Sequence, residues 1–134
     1  MPAIDLSKSP IHLPSDSKAS AVILENFGFD GPAFEAYIDA HCSDDQPGRI
    51  VMIETSPVDW PIWECHPLGD ELVIILSGEG DFIHETPEGE VRMAVSAGDT
   101  VLNPAGVWHT ADVREPIRAV YLTPAPGTDH KPRG

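Results

Sequence analysis

Positive charge and cysteine are both scarce in this chain. Of its 134 residues only 8 are lysine or arginine, against 22 aspartates and glutamates, for a formal net charge of -14. A surface of that sign repels nucleic-acid phosphates and anionic lipid headgroups, so neither nucleic acid nor a membrane surface is an expected partner. The bland meaning of the charge is solubility. The two cysteines, Cys42 and Cys65, form no CxxC pair and build no disulfide scaffold. No apolar run approaches the roughly 20 residues of a membrane-spanning helix. The opening Met1-Pro2-Ala3-Ile4-Asp5 lacks the basic and apolar regions of a secretory signal, and the expected location is cytoplasmic. Also missing are a phosphate-cradling Gly-x-x-x-x-Gly-Lys loop, a dinucleotide fingerprint and a Gly-x-Ser-x-Gly elbow.

What is present is a succession of short β-rich segments separated by glycine and proline. Residues 1–20, rich in Ser, Pro, Lys and Asp, read as a flexible arm, or as one that orders only against something else. Residues 21–122 carry the core pattern, and residues 123–134 form a Pro- and Gly-rich tail. Strands are expected at 21–24, 34–37, 49–55, 62–66, 71–76, 81–85, 91–95, 100–103, 108–113 and 117–122, with Ser77-Gly78-Glu79-Gly80 as a hairpin turn. That spacing, with little helical periodicity, predicts a single-domain all-β sandwich or barrel. Leu72 to Leu76 is apolar on both faces, so both faces should be covered. Glu71, Val73 and Ile75 would line the interior. Leu72, Ile74 and Leu76 would meet a second sheet or a second subunit, and a homodimer is the expected assembly.

Two segments carry chemistry. The first is Trp63-Glu64-Cys65-His66-Pro67-Leu68-Gly69-Asp70-Glu71, the second Asn103-Pro104-Ala105-Gly106-Val107-Trp108-His109. Glu64, His66, Glu71 and His109 offer imidazole nitrogen and carboxylate oxygen, donors that suit a divalent transition metal. Glu64 and His66, two apart, point the same way on a strand, and Cys65 points away from both as a packed thiol. Convergence of all four donors requires a closed sheet.

These segments resemble the two motifs of the cupin superfamily, whose fold is a jelly-roll β-barrel. Glu64-Cys65-His66, four residues, Glu71, six residues and Gly78 match the first motif. Gly98, five residues, Pro104-Ala105-Gly106, two residues and His109 match the second. Glu64 stands where cupins usually carry a first histidine, and Val113 where the second motif often ends in Asn. The resemblance implies His66, Glu71 and His109 as metal ligands. Glu64 is left as a fourth ligand, as a hydrogen-bond acceptor for a ligand histidine, or as a general base. The other reading is a metal-free pocket in which the histidines hydrogen-bond to Glu64 and Glu71. Fe, Mn, Zn and Ni all suit such a donor set. Trp63, Phe82 and Trp108 are the candidate aromatic wall of a substrate pocket, with ordinary core packing as the alternative. The expected function is a metal-dependent enzyme of dioxygenase or isomerase type acting on a small oxygen-rich molecule. The rivals are a non-catalytic binding or sensor module for a small sugar or organic acid and a metal-free acid/base catalyst.

Overall fold

The computed structural model describes residues 2–29 and 31–134; Met1, the first residue of the expected arm, lies outside them. The chain runs β1 (Ile11–Leu13), β2 (Val22–Ile23), α1 (Gly31–His41), β3 (Arg49–Ser56), β4 (Ile62–Cys65), β5 (Glu71–Thr86), β6 (Gly89–Val95), β7 (Thr100–Asn103), β8 (His109–Thr123) and β9 (Asp129–Pro132). Every pairing is antiparallel. Among the described residues, no helix is long and apolar enough to cross a membrane.

The long strands β5 and β8 are the backbone of the fold. They run against each other from Leu72 opposite Leu122 to His84 opposite His109. The first half of β5 also pairs with β7, its second half with β6. Beyond β8 the sheet continues through β3 and β1 to β2, while β4 and β9 sit beside the start of β8. The hairpin expected at residues 77–80 does not form. Those residues are bulges inside β5, where the pairing register with β8 shifts three times. A Cβ at Gly78 would lie 2.0 Å from the Pro116 carbonyl oxygen, and one at Gly80 2.3 Å from that of Asp112. The glycines are there for close approach of two backbones, and the bulges bend one strand across two faces of the barrel.

The segment 34–37, expected as a strand, lies in α1. Phe34, Tyr37, Ile38 and His41 recur at helical spacing, and Pro32 sits in the first turn, where its missing N–H costs nothing. Tyr37 is buried, with Phe34 and Ile38 packed on the same core. Inside the expected arm, β1 pairs with β3. Inside the expected tail, β9 pairs with β4.

Strand alternation decides the interior. Glu71, Val73 and Ile75 are buried, Leu72 and Ile74 half-buried, and Leu76 is exposed. Ile50, Val73, Ile75, Phe82 and Ile117 are almost fully enclosed. Each such side chain contributes roughly 1.5–3 kcal/mol on burial. The other end of the barrel buries His66, Glu71, Asn103, His109 and Thr123 instead. Polar groups there gain no such term, so hydrogen bonds or chemistry must account for them.

Candidate metal centre

Two loops bring the chemistry-bearing segments together. The Asp70 carboxylate accepts a hydrogen bond from the Ala105 N–H at 2.9 Å. The His66 carbonyl accepts one from the Gly106 N–H at 3.0 Å. Gly106 has φ +78°, a left-handed conformation that tolerates glycine best, and it turns the chain into β8. Cross-strand register completes the assembly: Glu64 on β4 lies opposite His109 on β8 and opposite His130 on β9.

Glu64, His66 and His109 each offer a ligand atom within 4.8 Å of the others. His66 Nε2 lies 2.9 Å from Glu64 Oε1 and 3.2 Å from Glu71 Oε2, and His109 Nε2 lies 3.3 Å from Glu71 Oε1. Both Nε2 atoms are buried, and neither makes an aligned hydrogen bond. Glu71 thus bridges the two imidazoles from below, while Glu64, with its side chain 23% exposed, faces the opening. Burial opposes charging His66, but the Glu64 and Glu71 carboxylates outweigh it and push its pKa up to about 9. Burial likewise works to raise Glu71, but His109 and His66 hold its carboxyl well below the usual carboxylate range.

The surrounding hydrogen bonds orient the rings. Thr128 Oγ1 donates its proton to the Ala125 carbonyl at 2.8 Å. It therefore accepts from His66 Nδ1–H, 2.8 Å away. His109 Nδ1–H points at the Val107 carbonyl at 3.4 Å. In both rings the outward nitrogen carries a hydrogen and Nε2 is the nitrogen turned to the carboxylates; on His66, whose pKa they raise, a metal would displace the second proton from Nε2. Glu71 accepts from Asn103 Nδ2 at 2.9 Å and from Thr123 Oγ1 at 2.6 Å. Asn103 Oδ1 in turn accepts from His84 Nε2 at 2.7 Å, so His84 braces the site through Asn103. His130 Nε2 lies 3.3 Å from Glu64 Oε2. Asn103, Thr123, Thr128 and His130 received no role from the sequence. Only Asn103 left a signal there, as an amide two residues after the inward-facing Val101.

A cavity of about 640 Å³ opens above the cluster, lined by Glu64, His66 and Glu71 at its floor. Its aromatic wall differs from the expected one: Phe29, Phe34, Trp60 and Tyr121 line it, and Trp63, Phe82 and Trp108 do not. Trp63 occupies the same face of β4 as Cys65, opposite to that of Glu64. Phe82 is enclosed in the core, its ring edge-on to Trp60. Trp108 lies under the Lys131 ammonium at 4.6 Å. Burial pushes the Cys65 thiol up, as befits a packed, unreactive cysteine.

A family profile described as the EutQ-like cupin domain matches residues 53–121, just over half of the chain. The chain belongs to this cupin family. Its fold is the cupin jelly-roll barrel. Among solved structures it is similar to Bacillus subtilis oxalate decarboxylase, a protein with Mn(II) centres, at 16% identity and a TM-score of 0.53, over 63% of this chain and 24% of that one. It is also similar to the hydroxypropylphosphonic acid epoxidase of S. wedmorenis at 15% identity and a TM-score of 0.48, over 56% of this chain and 43% of that one. A cupin superfamily protein of Desulfitobacterium hafniense matches at 17% identity and a TM-score of 0.48, over 56% of this chain and 65% of that one. The chain thus spans less than half the length of the epoxidase and of the decarboxylase. None of the curated protein sequences matches it.

Proposed function

We propose that this cupin is a metal-dependent enzyme whose barrel holds one divalent transition-metal ion, Fe, Mn, Zn or Ni, on His66, His109, Glu64 and Glu71. One observation carries the reading. Two buried imidazole nitrogens face carboxylate oxygens at 2.9–3.3 Å without an aligned hydrogen bond. An unpartnered buried polar atom costs about 1–3 kcal/mol, and a shared cation would remove that cost for both rings at once. The hydrogen bonds on Nδ1 of each ring leave Nε2 free for that purpose. Bound there, the ion would supply Lewis-acid polarisation of a substrate oxygen or a redox centre for dioxygen. Left unligated, Glu64, at the edge of the cavity, would instead be the group placed to move a proton on the bound molecule. Oxygenation or isomerisation of a small oxygen-rich molecule is the reaction class that follows.

Elemental mass spectrometry of untagged protein tests this. Near-stoichiometric metal is expected, either as purified or after chelation and reloading with iron(II), manganese, zinc or nickel. Metal far below one ion per chain after every reloading would sink the metalloenzyme reading. A metal-free catalyst or binding module would then remain, favoured by the Glu64–His66 pair at 2.9 Å. Turnover that survives chelation would mark the former.

Thr128 is the further positioning residue. Thr128→Val keeps the shape and removes the acceptor for His66 Nδ1–H. Metal affinity, measured against a competing chelator, should fall about 10- to 100-fold, with Thr128→Ser restoring it. An affinity unchanged in the valine variant would reduce Thr128 to a turn residue.

The partner reading also includes a second copy of the chain. Leu102, Leu72, Leu122, Val51 and Ile11 form one cross-strand row on the outer face, from β7 to β1. Leu102 is 58% exposed and Leu76 41%. Sedimentation should give a dimer that Leu102→Glu dissociates; a wild-type monomer at micromolar concentration would refute it.

A further inference from the structure

The cavity over the cluster is unusual in the charges it offers. At about 640 Å³ it has room for a molecule the size of a substituted ring. Among the described residues, no lysine or arginine lines it. Its one mouth imidazole, His130, already faces Glu64 at 3.3 Å. Glu54 stands on the wall. It shares the inward face of β3 with Ile50 and Met52, since the three alternate along the strand. Its cross-strand neighbour is Ala119, too short to cover a carboxylate. Partial desolvation, with no charge or hydrogen bond set against it, raises the Glu54 carboxyl pKa. The side chain is exposed at the cavity wall and is not paired with a cation among the described residues.

The floor supplies no compensating positive charge. This step rests on the metal reading above: Glu64 and Glu71 together neutralise a divalent ion, because Glu64 stands where a neutral histidine would leave one charge over. The floor is nevertheless a ligand site, since His66 and His109 turn unpartnered, buried Nε2 atoms to it. Met52, Trp60 and Tyr121 give the wall apolar surface, beside the hydroxyls of Ser56 and Thr123.

We propose that the cavity takes a small molecule with an oxygen donor at one end, an apolar or aromatic middle, and an ammonium group at the other end, which Glu54 receives. Molecules ending in a carboxylate or phosphate are turned away. The oxygen end meets the floor, and the middle lies along Trp60, Met52 and Tyr121.

Three probes that share a 4-hydroxyphenethyl scaffold and differ in the end group test this by titration calorimetry on metal-loaded and on chelator-treated protein: tyramine, tyrosol and 3-(4-hydroxyphenyl)propanoate. Tyramine should bind at least about tenfold more tightly than the propanoate, with tyrosol between them. In Glu54→Gln the spread should shrink to within about threefold. A spread unchanged in Glu54→Gln would trace the preference to the overall charge of -14 and overturn the proposal. So would equal or tighter binding of the propanoate, or no binding of any probe at millimolar concentration. The two readings fail separately. A Glu54-dependent amine preference in protein that takes up no metal leaves this proposal standing and removes the metal. Stoichiometric metal with a preference for the propanoate does the reverse.

Discussion

Metal content should fall to less than about a tenth of the wild-type value in His109→Ala. The imidazole is wholly buried, and its Nε2 is one of the two unpartnered nitrogens at the barrel floor. Alanine offers no donor there; His84 is committed to Asn103, and His130, half exposed at the mouth, faces Glu64. The comparison with wild type matters more than either content alone. A chain with 22 carboxylates collects divalent ions loosely on its surface, and the substitution would leave those untouched. Thermal unfolding supplies a second readout. An ion at a thousandfold its dissociation constant stabilises the wild type by about 4 kcal/mol, and the variant should gain almost none of this. Truncating a buried ring also costs stability by itself, about 2–4 kcal/mol for a cavity of this size. Both proteins should therefore be compared with chelator as well as with metal. Wild-type metal content in a folded His109→Ala protein would show that the ion binds elsewhere.

The parts of this fold that were legible in sequence are those governed by local pattern. Alternation along residues 71–75 predicted which of their side chains point inward, and they do. Spacing within the two motif segments singled out four donors that the structure gathers at one end of the barrel. What escaped was set by pairings between distant strands. Glu64 meets His130, and Ile50 brings Thr123 alongside, only through register. The hairpin misassigned to residues 77–80 has the same origin. Glycine serves a chain reversal and a close backbone approach equally well, and the Pro116 carbonyl that decides between them is 38 residues further on. The helix at residues 34–37 was missed because four residues of a 3.6-period pattern look alike for helix and strand. The aromatic wall was misplaced for a related reason: proximity in sequence to the donors favoured Trp63 and Trp108, whereas packing brought in Trp60 and Phe34.

Glu71 offers the other large effect, and its sign is informative. It is buried, and four polar atoms converge on its two oxygens: Asn103 Nδ2, Thr123 Oγ1, His66 Nε2 and His109 Nε2. Replacing a whole buried ionic group by hydrophobic residues of like volume is often neutral or stabilising. Replacing Glu71 alone is a different operation, because Asn103 Nδ2 and Thr123 Oγ1 stay behind without an acceptor and His66 loses a neighbouring carboxylate. Each orphaned partner costs about 1–3 kcal/mol, and relief from desolving one carboxylate returns only part of the sum. Glu71→Leu should therefore lower stability by about 3–5 kcal/mol in metal-free protein, measured by urea unfolding in chelator. Glu71→Gln keeps the shape and one carbonyl acceptor, and should cost about 1–3 kcal/mol. With metal restored, the glutamine variant should also bind the ion at least about tenfold more weakly, whether Glu71 is a ligand or braces the ligand histidines. A leucine variant as stable as wild type would mean that Asn103 and Thr123 find acceptors elsewhere and that Glu64 alone serves His66. Glu71 would then be a buried carboxylate with no part in holding the site together.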